Sequence, residues 1–172
     1  MIEPATDVDG PSILRITQQA GVFTAGEVQC VQELWSQYLN EGEERSGYSF
    51  RVYREGSVVL GYICFGPHSL TEGTYDVYWI AVSPEAHQRG IGSRLLHEAE
   101  EEIAGKGGRK VLIETSSSPL FSPARALYAH CGYQVEAVVH DFYQDGDDLL
   151  IFSKRLRENR RKPMEEIEVV YM

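Results

Sequence analysis

The segment from Thr74 to Leu96 constrains the fold more than any other part of the chain. It reads TYDVYWIAV, then SPEA, then HQRGIGSRLL. The first run is dense in aromatic and β-branched residues and reads as a strand, which Ser83-Pro84 stops. From Ile91 the apolar residues Leu95, Leu96, Ala99 and Ile103 fall at helical spacing, with Glu98, Glu100, Glu101 and Glu102 between them. Gly105 or Gly107-Gly108 ends that helix. Strand, glycine turn and helix in this order form an anion cradle. The helix start presents unpaired N–H groups and the positive end of its dipole. Glycines at 90 and 92 let backbone approach an anion and take dihedrals closed to other residues.

The remaining segments are read around this unit. Residues 1–12 form a loose lead-in, and Ile13–Ile16 a short first strand. Thr24 and Glu27 make a capping box for a helix over about 25–40, with Val28, Val31, Leu34, Trp35, Tyr38 and Leu39 on one face. Tyr48–Tyr53 and Val58–Phe65 make a hairpin around Arg54-Glu55-Gly56-Ser57. Val111–Thr115 is a short buried strand. Ser122 as N-cap and Pro123 at N1 open a helix through Cys131 that ends at Gly132. Tyr133–Val139 and Leu149–Ser153 are two last strands around an acidic loop. No internal repeat is visible. The order predicts a mixed α/β (α+β) sheet covered by helices.

Composition narrows the function classes. The 172 residues suit one domain with a real core, and 42% apolar with 24% charged content is that of a soluble globular protein. No apolar run approaches the roughly 18–20 residues of a membrane span, and MIEPATDVDG has neither the basic nor the apolar region of a secretory leader. Cys30, Cys64 and Cys131 lie far apart, which argues against a disulfide framework or a zinc site and for a reducing cytoplasm. No metal site is expected, since the acidic loop lacks the closing Glu of a calcium loop. A net charge of −10 disfavours nucleic acid and favours cationic partners such as amines. Residues 1–155 are expected to form a single domain. Residues 156–172 follow as a tail, basic and then acidic-apolar, with Ile167–Tyr171 as a contact for a homodimer.

The flanks of the cradle make it specific. A Walker loop needs GK[ST], which is absent, and a dinucleotide fingerprint needs a small residue where Leu95 stands. Ile80-Ala81-Val82, the link Ser83–Ala86, then His87-Gln88-Arg89-Gly90-Ile91-Gly92, followed later by ARALYAHCGY, resemble the two motifs of the GNAT superfamily of acyl-CoA-dependent N-acetyltransferases. Within it the ribosomal-protein alanine N-acetyltransferases are most similar. The likeness covers roughly residues 45–155. It implies the GNAT fold, a mostly antiparallel sheet splayed at its middle strands and flanked by helices, and acetyl-CoA as acyl donor. By the resemblance, Ile80, Ala81 and Val82 hold the pantetheine arm, and the backbone of Gln88, Arg89, Gly90, Ile91, Gly92 and Ser93 holds the pyrophosphate. Two positions depart from the pattern. His87 stands where Gln or Arg is usual, and Phe121 stands where an Asn often bonds the CoA arm.

Acetyl transfer to an amine needs a base for the ammonium and an acid for the leaving thiolate. Glu114 is the candidate base, because it ends the apolar run Val111-Leu112-Ile113, where ligands gather beyond strand ends. The alanine N-acetyltransferases carry their base in a similar segment, two residues nearer the motif Tyr; here the extra residues fall in Ser116–Leu120. Tyr128, at the L-Y position of the second motif, is the candidate acid. Asp76, on the face of Tyr78 and Ile80 by alternation, and Asp141, which opens the acidic loop, are candidate substrate-binding carboxylates. His87, His130 and Cys131 are read as non-catalytic. The acceptor is a small amine or a protein or peptide amine. The alternative function is an acyl-CoA-binding sensor or partner module without transfer.

Overall fold

Of the expected segments, the strand before the glycine turn is reproduced to the residue. A computed structural model describes residues 1–156, and in it Thr74–Val82 is a strand throughout. The elements are β1 (Ile2–Pro4), α1 (Gly10–Gln19), α2 (Ala25–Ser46), β2 (Ser49–Glu55), β3 (Val58–Pro67), β4 (Thr74–Val82), α3 (Ile91–Gly105), β5 (Lys110–Ser116), α4 (Ser122–His130), β6 (Gln134–Gln144) and β7 (Asp147–Arg155). The seven strands form one sheet in the order β1-β2-β3-β4-β5-β7-β6. No helix among the described residues is long and apolar enough to cross a membrane. The expected tail and its dimer contact through Ile167–Tyr171 lie outside the described residues.

Every neighbouring pair is antiparallel except β4 and β5, which run parallel. That pairing lasts only from Thr74 opposite Lys110 to Val77 opposite Ile113. Beyond it β4 stays with β3 as far as Val82, while β5 stays with β7 as far as Ser116. The sheet therefore splays into two arms above Val77 and Ile113. The fold class is the one the resemblance implied: mixed, mostly antiparallel, open at its middle strands. Helices α3 and α4 cover one face, with Leu95 and Leu96 of α3 in one core with Ile63, Phe65, Val77, Val111 and Ile113. Helices α1 and α2 cover the other over Phe50, Val52, Tyr62 and Cys64.

Several readings need correction. Ile13–Ile16 is not a strand but the middle of α1, because Ile13, Ile16 and Thr17 fall at helical spacing and all are buried. Pro11 in the first turn suits a helix start. The lead-in is not loose either: Ile2, Glu3 and Pro4 pair with Tyr53, Val52 and Arg51. The buried Asp9 accepts from the Thr6 amide at 2.8 Å and from Arg54 at 2.8 Å. Ser122 does not cap α4; it is its first residue, and Phe121 holds the cap position with no side-chain bond. Alternation along β4 is broken too. Cys64 pairs with Trp79 but Phe65 with Val77, so Tyr78 is an extra, bulged residue. Val77 and Ile80 thus join one core while Tyr78 and Trp79 pack on the other. Asp76 shares the α1/α2 face with Tyr78, and Ile80 points to the opposite face.

Helix α2 outruns its expected end. It kinks at Gly42 (φ 74°, ψ 171°) and continues to Ser46. That last turn carries Glu43 to Arg51 at 2.6 Å, and Arg51 also takes Glu102 of α3 at 2.6 Å. The arginine is 6% exposed. One guanidinium thus ties α2, β2 and α3 together. Arg51→Leu should cost about 2–3 kcal/mol, less than a sealed pair because both carboxylates touch water. Thermal unfolding should show a drop of roughly 5–10 °C; an unchanged midpoint would mean the triad contributes nothing.

Candidate functional site

The two glycines of the turn have different jobs. Gly90 is left-handed at φ 73°, and a Cβ there would meet nothing within 4 Å. Its freedom is needed for the dihedral. Gly92 is helical, and a Cβ there would lie 2.9 Å from Leu127 Cδ2. Its smallness lets α3 pack against α4. Gln88 is also left-handed, at φ 62°, a conformation that costs a non-glycine residue about 1 kcal/mol or more. The strained turn leads into α3, whose N-cap Gly90 supplies no side-chain bond. The N–H groups of Ile91, Gly92 and Ser93 therefore open outward without intrahelical partners. This is the geometry that holds a phosphate.

Side chains from β2 frame the same mouth. Arg89 donates to Glu55 at 2.6 Å, and Tyr53 donates its hydroxyl to Glu55 at 3.1 Å. Arg94 reaches the Tyr53 hydroxyl at 3.3 Å and lies 5.9 Å from its ring centre. An acidic chain thus keeps two arginines at the cradle. The His87 ring turns back on the strand: its Nε2 meets the Val82 carbonyl at 3.0 Å and braces the end of β4. Tyr53, Glu55 and Arg94 escaped the sequence reading. Arg94 carried a signal, as a basic residue in the first turn after the glycines, whereas Tyr53 and Glu55 are brought there only by the sheet.

From the cradle, the edge of β4 over Ile80, Ala81 and Val82 runs down to the apex of the splay, and among the described residues no strand pairs with its β5 side. Glu114 lies at that apex, one residue past the last β4–β5 pair. Paired residues share a face, so Asp76, Leu112 and Glu114 all point to the α1/α2 side. Glu114 is exposed, and among the described residues no hydrogen bond or ion pair holds its carboxylate. Asp147 accepts from Ser116 at 2.5 Å just beyond it. Burial raises the pKa of the Tyr143 hydroxyl, and the charges of Glu114, Asp147 and Glu27 raise it further.

The other candidates divide. Tyr128 sits on the α3/α4 face, 5% exposed, against Tyr133 and Phe152. Burial pushes its pKa up to about 12, and no protein group among the described residues bonds its hydroxyl. Asp76 is engaged with His68 Nδ1 at 2.6 Å. Burial, then the Asp76 charge, pushes neighbouring Tyr78 up to about 12. Asp141 is not brought to the apex as a free carboxylate; left-handed at φ 53°, it accepts from the Gly146 amide at 2.7 Å and so closes its own hairpin. Cys131 packs against the α3/α4 core and is unpaired. Phe121, where the pattern often has Asn, lies tilted against Phe23 with ring centres 6.1 Å apart, and Phe23 meets Trp79 at 5.8 Å. A separate groove of about 880 Å³ follows the outer side of α2, lined by Gln18, Phe23, Gln29, Gln32 and Gln37. It contains none of the candidate catalytic residues.

Known proteins share the family and the fold. The profile of the acetyltransferase (GNAT) domain matches residues 46–135. A GNAT-family structure from Desulfovibrio desulfuricans superposes with a TM-score of 0.88 at 35% identity, covering 91% of this chain and 99% of that one. The ribosomal-protein-S18-alanine N-acetyltransferase of Escherichia coli gives 0.73 at 18% identity over 100% and 99% of the two chains. An aminoglycoside 6′-N-acetyltransferase complexed with coenzyme A also gives 0.73, at 13% identity over 92% and 98%. At such identities the last two speak for the fold alone. Among curated proteins, the uncharacterized N-acetyltransferase YvbK of Bacillus subtilis is 29% identical over 84 residues, 49% of this chain and 53% of that protein. The chain thus spans about half the length of the curated relative it matches.

Proposed function

Because the chain belongs to the GNAT acetyltransferase family, we propose that it moves an acetyl group from acetyl-CoA to a primary amine by direct attack within a ternary complex. One observation carries this reading: the β4–β5 splay opens onto an uncapped helix start at its rim and an unpaired carboxylate at its apex. Acetyl-CoA supplies an acyl group activated as a thioester. The free β4 edge over Ile80, Ala81 and Val82 suits the amide-bearing arm. The backbone from Gln88 to Ser93 suits the pyrophosphate, with Arg89 and Arg94 adding charge. These residues fit the donor because the cradle offers unpartnered N–H groups and open space above Gly90.

Glu114 takes the proton from the ammonium, so that the amine has a lone pair with which to attack. It faces the α1/α2 side, the face from which an acceptor enters once the donor lies along β4. Tyr128 approaches from the α3/α4 side and gives its proton to the departing sulfur. A phenol held near pKa 12 is neutral at every physiological pH, so the donor form is always present. The wild-type rate should therefore rise with pH as the amine loses its proton, and no alkaline fall from Tyr128 should appear below about pH 11. Tyr128→Phe should slow transfer about 10–100-fold; an unchanged rate would remove the acid role.

The test of the whole reading is calorimetry with acetyl-CoA together with free-thiol release across a panel of amines. Tight binding and amine-dependent thiol release are expected. Binding with no thiol from any amine would instead describe a protein that holds acetyl-CoA without transfer.

A further inference from the structure

We propose, independently of the acetyl-transfer reading, that two copies of this chain join through β6 into one continuous sheet. The occupant of the exposed edge is a second β6, antiparallel to the first about a two-fold axis centred on Val138.

The sheet has two edges, β1 and β6. Unpaired N–H and C=O groups at an edge recruit other strands, so natural sheets keep an edge short or place Lys or Pro on it. β1 has only three residues and ends on Pro4. β6 has eleven, QVEAVVHDFYQ, with neither Lys nor Pro. Every one of the eleven is exposed, whereas the neighbouring β7 buries Leu149 and Phe152. Of the large apolar side chains exposed among the described residues, five stand on this one strand: Val135, Val138, Val139, Phe142 and Tyr143, each between 43% and 55% exposed. Together they show roughly 400 Å² of apolar surface, as much as the largest patch on a typical monomer.

The register follows from β6 itself. Its pairing with β7 is irregular at Glu136 and again between Val139 and Gln144, which leaves Ala137–Val139 as the regular stretch. Val138 is its middle. A two-fold axis normal to the sheet at that residue sets the strands antiparallel and keeps each face with itself. Val138 then stands opposite its own copy. Ala137 stands opposite Val139, and the two share a face because they pair with Ile151 and Leu149 of β7. Two positions from the centre, Glu136 of one copy is level with His140 of the other, an acid against an imidazole and not against a like charge. Neighbouring registers fit less well. A centre on Ala137 sets Val135 against Val139, whose partners Phe152 and Leu149 lie on opposite faces of β7. A centre on Val139 sets Ala137 against Asp141.

Such pairing also closes. The doubled sheet ends on the short β1 at both sides, so no second β6 edge is left to recruit a third copy. The apolar patches of both copies, with the backbone paired between them, amount to roughly 1,000 Å² of buried surface, at the lower end of specific interfaces. A dimer that forms at about 10 µM and dissociates on dilution is expected from an area of this size. β7 separates the seam from β5 and its Glu114, so loss of the dimer and loss of acetyl transfer are distinct results.

Sedimentation equilibrium of the full chain, from about 1 to 100 µM, brackets that range. The mass should rise from 19.4 kDa to twice that value. Val138→Lys sets two ammonium groups opposite each other and should hold the chain at the single mass. Because Val138 is exposed, the thermal midpoint should stay within about 3 °C. Val138→Cys gives an independent reading. Directly opposite residues have their Cβ atoms about 5 Å apart, so mild oxidation should yield a covalent dimer. Val58→Cys, as exposed but on β3, and the native chain should yield none. If Val138→Lys does not fold, the thiol pair decides. A chain that stays at 19.4 kDa throughout overturns the proposal. So does a dimer that Val138→Lys leaves intact or that Val138→Cys fails to crosslink, because another surface then carries it.

Discussion

Glu114→Gln lowers turnover by roughly 10²–10⁴-fold and leaves acetyl-CoA affinity within about twofold. The substitution keeps the shape of the side chain and removes only its capacity to take a proton. Glu114 is exposed and holds no hydrogen bond or ion pair among the described residues, so its replacement leaves no buried group unpaired and the fold should not suffer. It lies at the apex of the splay, away from the turn at Gln88–Ser93, which is why donor binding survives. The defect should also depend on pH. An ordinary alkylamine has a pKa of about 10, so at neutral pH nearly all of it is ammonium and needs the base. As pH rises through 10 the solvent does this work, and the variant should close on the wild type. Full activity at pH 7 would sink the assignment. Asp76, on the same face of the neighbouring strand and bonded to His68, would then be the next carboxylate to replace.

Gly92→Val is expected to weaken acetyl-CoA binding about 10–100-fold, the loss of roughly one charge-assisted hydrogen bond. The first carbon added at Gly92 already lies 2.9 Å from Leu127 Cδ2, and valine adds two more. Either the Leu127 side chain or one of the two helices must give, and overpacking of this kind costs typically about 1–3 kcal/mol. Moving the first turn of α3 spreads the N–H groups of Ile91, Gly92 and Ser93. Moving Leu127 disturbs its neighbour Tyr128. Gly90→Ala is the informative contrast. There the added carbon meets nothing within 4 Å, and the penalty is the left-handed dihedral at φ 73°, about 1–2 kcal/mol. That variant should lose stability and keep donor affinity within about tenfold. Calorimetry on both separates the two jobs; native affinity in Gly92→Val would show that the packing of α3 on α4 does not shape the cradle.

Local signals were enough for most of the elements. The capping box at Thr24 and Glu27, the helical spacing from Ile91 to Ile103, and the aromatic and β-branched run from Thr74 to Val82 each express a short-range rule. Each appears in the structure where the rule put it. Ile13–Ile16 was misread because four apolar-rich residues are too few to separate a period of 2 from one of 3.6. Glu3 and Asp9 looked like solvated lead-in because their partner, Arg54, is 51 and 45 positions away. Alternation failed at Ile80 because the bulge at Tyr78 is a property of two paired strands and leaves no mark in one of them.

By itself the sequence determined the order of the elements from α2 onward, the glycine turn before α3, and the motif residues that tie the chain to its family. All of these depend on residues within a few positions of one another. The tertiary structure alone decided that Gly92 serves Leu127, that His87 braces Val82, that Asp141 closes its own hairpin, and that Phe23 spans the two arms of the splay. Those facts depend on which distant segments the sheet and its covering helices bring within a few ångströms. That distance is set by packing of the whole chain and not by spacing along it.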